Sequence, residues 1–483
     1  MAPDASRGAD FLQLRPAAAP PKGLTDWLVA ALRTAIADGR LRSGARLPAT
    51  RVLADDLRVS RGVVVEAYRR LGDEGLLRAR TGAGTVVTPL ARPPVPAPPP
   101  APPAGRSATG AMSPPLPLPP PVTPVELDLS PGVPDLTAFP RAMWLRAERA
   151  VLDRAGASDL GYGDPRGAPR LRQELAGWLA RVRGVRAGAD EIIIVAGVAQ
   201  SLALLAQRLT AAGASRVAVE DPGSRGARDE LAHWGLEPVP VPVDEDGLRV
   251  DELARTGLGA ALLTPAHQFP TGVVLAPERR RALLAWAAAG GLVVEDDYDA
   301  EYRYDRAPVP PLQASAPEAV AYTGSTSKTL APGLRLGWLI PPRRLHADLV
   351  AAKHASDLGS PAIPQLVLAR LIATGELDRH VRLVRARHRT RRDALLAALR
   401  EHLPRACVRG VAAGLHLLLT LPEAPGDVAD VELAERIRAA GVLVHPLSWH
   451  RQRGGPPGLV LGYAAHPPDR LREAARRIGA VLR

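Results

Sequence analysis

The sequence contains almost no cysteine and very little lysine, and both shortages restrict what the chain can do. Cys407 is its only cysteine, which excludes an internal disulfide and a cysteine cluster for a metal ion, so we predict no metal site. Such a chain suits a reducing compartment, so we expect it in the cytosol. Lysine occurs only at Lys22, Lys328 and Lys353 in a chain rich in arginine. Each surviving lysine is therefore worth examining, although drift alone could leave a few.

Signals for export or membrane insertion are also missing. The N-terminus lacks a basic segment followed by an apolar run, so we expect no secretory signal. No stretch reaches the roughly 20 uninterrupted apolar residues of a membrane span. The net charge of +12 permits a polyanion as a partner but does not prove one. At 483 residues the chain is too long for one small core, so two or more domains are expected.

A segment of proline, alanine and small polar residues over 89–125 divides the chain. Proline lacks the N–H that helices and sheets need, so this segment is predicted to be a linker with a bias towards polyproline II. At about 3.1 Å per residue it would reach at most roughly 110 Å, which would let the flanking parts move independently. The predicted domains are therefore 20–88 and 126–483.

The pattern of residues 20–88 is typical of a winged helix-turn-helix. Helical spacing runs over 24–36 and over 51–57, and Ser60 can cap a third helix that ends before Gly75. The alternating residues of 76–87 then indicate a hairpin. Helix, short helix, turn, helix and hairpin is the order of a winged DNA-binding domain.

The third helix of this domain is the candidate for reading DNA. Its first turn, Ser60 to Gly62, offers backbone N–H groups to phosphate, and a long donor side chain at Arg61 can reach bases. Arg51 begins the preceding helix, where it could meet the backbone or a base. Residues 24–88 contain 11 arginines and 7 acidic residues, a net charge of only +4. Charge therefore leaves open a helical adaptor or dimerisation domain.

Four segments, 39–51, 59–61, 67–71 and 74–85, resemble the GntR family of winged-helix repressors. The resemblance implies DNA contacts from the following residues: Arg51, Ser60, Arg61, Val63 and Gly82. One departure is that Val63, Val64 and Val65 stand on a face where many relatives carry Thr, Asn or Arg. Fewer hydrogen bonds to base edges are therefore expected from that turn.

After the linker, apolar β-rich runs such as 192–195 and 260–263 alternate with helical segments. This alternation predicts an α/β domain with a mainly parallel sheet. The run 292–294 precedes Asp296 and Tyr298, which places both at the carboxyl end of a strand, where ligands of such sheets bind. An ordinary acidic strand end remains the alternative, because four more acidic residues lie within 295–301.

Lys328 follows a second apolar run in the motif Gly324-Ser325-Thr326-Ser327-Lys328. The hydroxyls of Ser325 and Ser327 suit a phosphate, and Arg335 can form a bidentate pair with one. By itself this motif is more typical of a surface loop. The turn before Val198 and Ala199 opens a long helix whose N–H groups can bind phosphate, although such turns are more often simple connections.

Together these groups meet the demands of pyridoxal 5′-phosphate (PLP). The cofactor needs an amine for its aldehyde, an acid for its pyridine nitrogen, and donors for its phosphate and its phenolate oxygen. The domain resembles fold-type I PLP enzymes, and more closely the MocR/GabR-type regulators, which fuse a GntR-like winged helix to an aminotransferase-like domain. Five motifs carry the resemblance: 162–167, 220–223, 265–272, 295–299 and 327–335.

The resemblance implies a role for each matching residue. Lys328 would link to the cofactor, Asp296 would pair with the pyridine nitrogen and Tyr298 with the phenolate oxygen. The phosphate would be surrounded by a set of five residues: Val198, Ala199, Ser325, Ser327 and Arg335. Tyr162 would reach the cofactor phosphate of the neighbouring subunit in a head-to-tail homodimer. His267 would touch the ring edge, unless it is a buried structural histidine. A small C-terminal subdomain over about 345–483 is also implied.

Three departures bear on catalysis. Ser224 stands where relatives usually place a tyrosine that stacks on the ring, and Phe269 stands where aminotransferases carry an asparagine. The segment 458–463 has no arginine for a substrate carboxylate, and Arg451 and Arg453 can equally be surface residues. PLP binding is therefore better supported than transamination, and any transaminase activity should be weak.

These patterns lead to a primary prediction and two alternatives. The first is a PLP-binding transcription regulator that binds operator DNA and senses PLP, an amine or an amino acid. The second is a working aminotransferase with an appended winged-helix module. A weaker third is a sensor that binds some other ligand in place of PLP.

Overall fold

A computed structural model describes residues 14, 16, 23–42, 44–73, 76–80, 84–87, 125–299, 301–304, 309–410, 413–420 and 429–482. The chain divides into two compact units, Met1–Thr109 and Gly110–Arg483. The predicted linker over 89–125, apart from its last residue, and Gly82 lie outside the described residues. None of the described helices is long and apolar enough to cross a membrane.

The N-terminal unit is a winged helix-turn-helix, as the sequence predicts. Its elements are α1 (Leu24–Ala37), α2 (Thr50–Leu57), α3 (Arg61–Asp73), β1 (Leu77–Arg80) and β2 (Gly84–Val87). The two strands pair antiparallel and form the hairpin. The three helices bury a common apolar core that includes Leu32, Leu53 and Leu71. The hydroxyl of Tyr68 donates to the carbonyl of Pro48 at 3.0 Å, which joins α3 to the segment before α2.

The C-terminal unit begins with helices and strands that build a large sheet. Its first elements are β3 (Leu127–Asp128), α4 (Arg141–Leu152), α5 (Ala157–Leu160), α6 (Pro169–Arg183), β4 (Ile193–Val195), α7 (Val198–Ala211), β5 (Arg216–Asp221), α8 (Arg225–His233), β6 (Glu237–Asp244), β7 (Gly247–Leu248), α9 (Val250–Arg255), β8 (Ala260–Leu263), α10 (Pro277–Ala288), β9 (Leu292–Asp296), β10 (Val320–Ser325) and β11 (Gly337–Ile340). The remaining elements are α11 (Arg343–Asp357), α12 (Ala362–Ala373), α13 (Glu376–His402), β12 (Cys407–Arg409), β13 (His416–Thr420), α14 (Asp430–Ala439), β14 (Val442–Leu443), β15 (His445–Pro446), β16 (Gly458–Gly462) and α15 (Pro468–Leu482).

The large sheet has eight strands in the order β4-β11-β10-β9-β8-β5-β6-β7. The five central strands from β10 to β6 run parallel, whereas β11 is antiparallel to both of its neighbours and β7 is antiparallel to β6. Strands buried on both faces read as continuous apolar runs, which is why β8 and β9 stand out in the sequence. The predicted α/β fold with a mainly parallel sheet is confirmed.

A second sheet of four antiparallel strands, in the order β12-β13-β16-β15, lies in the C-terminal part. It shares a core with α13, α14 and α15, and β3 joins this core by pairing parallel with β14. The residues just after the predicted linker therefore belong to the C-terminal core. The helices α11 and α12 pack instead against the large sheet, through Leu349 and Val367.

Candidate cofactor pocket and DNA-binding face

A cavity of about 310 Å³ opens at the carboxyl ends of β9 and β10 and the start of α7. Seven of the ten predicted cofactor residues line it: Lys328, Asp296, Tyr298, Val198, Ala199, Ser325 and Ser327. Parallel pairing of β9 with β10 sets Thr323 opposite Asp296, so the polar ends of both strands face one space. The structure therefore brings together an amine, an acid, a phenol and two hydroxyls.

The Lys328 side chain is held at the segment that precedes α4. Its Nζ donates to the carbonyl of Gly132 at 2.5 Å, and the Tyr302 hydroxyl donates to the Lys328 carbonyl at 2.8 Å. A Cβ at position 132 would lie 3.0 Å from Nζ, so the glycine leaves the amine room. Burial lowers the pKa of Lys328, although the charges of Asp299 and Asp296 oppose the shift. A lowered pKa increases the neutral fraction, which is the nucleophilic form of the amine.

Asp296 carries an unsatisfied oxygen at the end of β9. Its buried Oδ1 has no hydrogen-bond partner within the described part of the chain. Burial, and then the charge of Asp297, raise the pKa of Asp296 from 3.8 to about 7. A buried acid without a partner is costly unless a donor or a cation meets it. A protonated pyridine nitrogen is such a donor, so this residue fits the ring of PLP.

Asp297 points away from the cavity into a buried ion pair that sequence reasoning did not find. Arg183 on α6 donates from Nε to Oδ2 at 2.8 Å and from Nη2 to Oδ1 at 3.0 Å. The Tyr322 hydroxyl on β10 also donates to Oδ2, at 2.5 Å. Both charged side chains are almost completely buried. The ion pair holds the end of β9 on the side away from the cavity and partly offsets the charge of Asp297 next to Asp296.

Tyr298 is held by a histidine that does not line the cavity. His267 Nδ1 lies 3.0 Å from the Tyr298 hydroxyl and 3.1 Å from each carboxylate oxygen of Asp299. A Cβ at Gly414 would lie 2.0 Å from His267 Cε1, so this packing requires a glycine there. His416 completes a buried group, in which one nitrogen or oxygen of His267, Asp299 and His416 lies within 4.8 Å of the others. The structure thus places His267 behind the tyrosine.

The phosphate end of the cavity is formed by the start of α7 and the loop after β10. Gly197, at φ +89°, turns the chain into α7, whose first residues Val198 and Ala199 line the cavity. Ser327 N–H donates to Ser325 Oγ at 3.3 Å. A helix N-terminus with two hydroxyls suits a dianion. Arg335 lies beside this turn and donates to the Ala196 carbonyl, but it is exposed and does not line the cavity.

The predicted departures from aminotransferases have a structural basis. Ser224 lines the cavity but also caps α8 by accepting the Ala227 N–H at 3.3 Å, and Phe269 lines the same space. Arg451 and Arg453 donate to the carbonyls of Pro456 and Pro240. Within the described ranges, none of the cavity-lining residues is an arginine. Tyr162 lies in a separate loop with 92% of its surface exposed.

Replacing Asp296 with asparagine is expected to change the stability of the apo protein and its affinity for PLP in opposite directions. The raised pKa means that the folded protein binds the proton more tightly, so this group makes stability fall as the pH rises from 3.8 towards 7. The variant loses that part of the pH dependence, which thermal unfolding of the apo protein would measure. Its affinity for PLP should fall roughly 10- to 100-fold, because a charge-assisted hydrogen bond is lost.

A matched control for that variant is Glu295→Gln. Glu295 is also buried with a pKa of about 7, but its oxygens accept from the Leu312 and Gln313 N–H groups, away from the cavity. Glu295→Gln should alter the pH dependence of unfolding without weakening the binding of PLP. Unchanged PLP affinity in Asp296→Asn would refute the assigned pairing.

Four of the five predicted DNA-contacting residues are described: Arg51 lies in the first turn of α2, and Ser60, Arg61 and Val63 lie at the start of α3. Arg51, Ser60 and Arg61 are exposed, whereas Val63 is half-buried and packs against the core. The three valines do not share a face, because successive helical residues turn by about 100°. Val64 is fully buried and Val65 is 45% exposed. The expectation that all three present one face is therefore wrong.

Fold and site together define the class. The C-terminal unit is a fold-type I PLP-dependent domain of aminotransferase type, and the N-terminal unit is a winged helix. Residues 126–478 match the family aminotransferase class I and II, and residues 24–87 match the bacterial regulatory proteins of the gntR family.

The chain belongs to the family of HTH-type transcriptional regulators that join a GntR-family domain to an aminotransferase class I and II domain. It is 36% identical to the HTH-type pyridoxine biosynthesis transcriptional regulator PdxR of Corynebacterium glutamicum over 94% of each chain. It is 32% identical to the probable rhizopine catabolism regulatory protein MocR of Rhizobium meliloti, over 93% of this chain and 92% of the relative. The predicted regulator of MocR type is confirmed.

A solved aminotransferase confirms the fold of the C-terminal unit and its cofactor class. LysN, the alpha-aminoadipate aminotransferase of Thermus thermophilus, superposes with a TM-score of 0.65 and 27% identity, over 74% of this chain and 92% of LysN. That structure holds N-(5′-phosphopyridoxyl)-L-leucine. PLP is the cofactor of this class of domain, as the sequence predicts.

Proposed function

We propose that this regulator binds PLP in the cavity at Lys328 and uses the loaded domain to sense an effector that changes its affinity for operator DNA. One observation carries the proposal: Lys328, Asp296 and Tyr298 converge with the start of α7 on one cavity. A surface loop or an ordinary acidic strand end would leave these groups exposed and separate. Here they line one space beside buried packing that holds them in place.

Each part of the cavity has a task in this proposal. Lys328 forms the covalent link, Asp296 holds the protonated ring nitrogen, and Tyr298 donates to the phenolate oxygen. Val198, Ala199, Ser325 and Ser327 bind the phosphate, and Arg335 is placed beside that end. When bound, PLP supplies an aldehyde that reacts reversibly with amines. The effector is then an amine, an amino acid or PLP itself.

The wider arrangement is proposed from the family resemblance and the exposed surface. The protein works in the bacterial cytosol as a head-to-tail homodimer, in which the exposed Tyr162 reaches the partner's cofactor phosphate. Its layout is a winged helix at 20–88, a linker at 89–125 and an aminotransferase-like domain at 126–483. Within the predicted subdomain of about 345–483, the part after α12 forms the small subdomain, because α11 and α12 pack on the large sheet. For regulation, the effector must bind one domain arrangement more tightly than another.

The test is the DNA affinity of the full chain for a fragment of its own promoter region, measured by fluorescence anisotropy without PLP, with PLP, and with PLP plus candidate amines. We expect specific binding that changes when PLP or an amine is added. DNA affinity that stays the same with PLP and with every candidate amine would contradict the sensing role. Rapid amino-group turnover with no binding to the promoter fragment would instead favour the aminotransferase alternative.

Replacing Arg61 with alanine is expected to weaken binding to the promoter fragment by roughly 10- to 100-fold. Arg61 is exposed at the start of α3 and, within the described ranges, makes no hydrogen bond or ion pair. Salt titrations of the affinity would show which contact it makes. A phosphate contact lowers the salt slope by about 1, whereas a base contact lowers sequence preference. Arg40, which is exposed and paired with Asp38, provides the matched control Arg40→Ala. Equal effects of the two variants would exclude a specific role for Arg61.

A further inference from the structure

Val65 is an exposed apolar side chain on the proposed reading helix. It is 45% exposed, and in the described part of the N-terminal unit only Val52 is a comparably exposed large apolar residue. The apolar positions of α3 at Val64, Ala67 and Leu71 are instead buried in the core. Val65 therefore contributes little to the fold. A single exposed valine is common on protein surfaces, so its meaning depends on its surroundings.

The surroundings of Val65 are those of a DNA-reading surface. The exposed residues of α3 are spaced so that they form one stripe along the helix: Arg61, Gly62, Val65, Arg69 and Gly72. Arg61 lies one turn before Val65 and Arg69 lies one turn after it. The guanidinium of Arg69 donates two hydrogen bonds of 2.8 Å to the carboxylate of Glu66, the residue that follows Val65. The valine thus stands between two cations, on the face turned away from the core.

We propose that Val65 reads the C5-methyl group of a thymine in the major groove of the operator. This inference rests on the proposed binding of operator DNA and specifies what one turn of α3 recognises. The side chain of valine neither donates nor accepts hydrogen bonds, and the thymine methyl is the apolar group that base edges present in the major groove. Val63 and Val64 cannot share this role equally, because the core takes up part or all of their surface.

The size of the effect follows from the area buried. One methyl group removed from water contributes about 0.8 kcal/mol, which corresponds to a roughly fourfold change in affinity. Loss of the thymine methyl should therefore weaken binding by roughly fourfold at one position of each half-site. Cytosine at that position should bind more weakly than thymine, and 5-methylcytosine should recover part of the difference.

The experiment replaces each thymine of the bound promoter fragment in turn with deoxyuridine, which lacks only the C5-methyl group. Affinities of the full chain and of Val65→Ala are compared by fluorescence anisotropy. The expected result is one thymine per half-site whose replacement weakens the unaltered protein roughly fourfold and leaves Val65→Ala unaffected. Because Val65 is exposed, circular dichroism should show Val65→Ala as folded as the unaltered protein.

Val52→Ala is the matched control, since it shortens a valine of α2 that is 49% exposed. The affinity of Val52→Ala for the promoter fragment should still fall when the thymine methyl is removed. The proposal is overturned if Val65→Ala remains as sensitive to every deoxyuridine as the unaltered protein. Tight promoter binding without any methyl dependence would overturn this inference alone. Absence of promoter binding would contradict the proposed function as well.

Discussion

Replacing Lys328 with alanine is expected to remove the covalent attachment of PLP completely. The chain contains two other lysines, and one of them, Lys353, is already engaged. Lys353 is fully buried and its Nζ lies 2.7 and 2.6 Å from the Asp357 oxygens and 3.1 Å from Ser360 Oγ. Lys22 lies outside the described residues, near the start of the N-terminal unit. The visible absorbance of the linked cofactor should therefore vanish in Lys328→Ala.

Borohydride reduction followed by peptide mass analysis checks this prediction, because it fixes PLP to the lysine that carries it. The label should be found on Lys328 in the unaltered protein and should be absent from the variant. Lys22→Ala is the control and should keep both the label and the absorbance. A label on Lys353, or unchanged absorbance in Lys328→Ala, would show that the cofactor site is misassigned.

The same variant separates cofactor binding from sensing. If the link to Lys328 transmits the signal, the response of DNA affinity to PLP and amines should disappear together with the absorbance. Without PLP, Lys328→Ala should bind DNA about as tightly as the unaltered apo protein does, because Lys328 is remote in sequence from the winged helix. A variant that has lost the absorbance but responds fully to PLP would place sensing at another site.

The parts of the pocket that could be predicted are those that follow a strand directly in the chain. Asp296 ends β9, Ser325 ends β10, and Val198 begins α7 after a glycine turn, so local sequence already sets them at one edge of the sheet. The β-rich runs and the helical spacing of the winged helix were predictable for the same reason. Local sequence patterns indicate which residues lie on one helix or strand and where that helix or strand ends.

The parts that could not be predicted depend on distant contacts or on the direction of a side chain. Arg183 meets Asp297 across 114 positions of sequence, and nothing local marks either as paired. The motif around His267 is compatible with a contact to the ring edge or with a buried structural role, but it does not show that the imidazole turns towards Tyr298 and Asp299. The resemblance implies a DNA contact from Val63, but without the core the sequence does not show that Val65 is the more exposed valine.

Replacing Arg183 with leucine is expected to destabilise the C-terminal unit by about 3–5 kcal/mol, because it leaves Asp297 buried and unpaired. Asp297 would keep only the Tyr322 hydroxyl as a side-chain partner among the described residues. Its unneutralised charge would raise the pKa of Asp296 further, so more Asp296 would be protonated and PLP would bind more weakly. Urea unfolding of the apo protein and PLP titration measure the two effects.

A second substitution shows whether the charge of Asp297 causes both effects. In Arg183→Leu with Asp297→Asn, the buried charge is gone while an oxygen remains to accept from Tyr322, so much of the lost stability and of the PLP affinity should return. Replacing both members of a buried pair can be nearly neutral even when removing one is severe. If the double variant is no more stable than Arg183→Leu, the loss comes from packing around α6. If it regains stability but not PLP affinity, Arg183 positions the end of β9 by contact, and its charge does not tune Asp296.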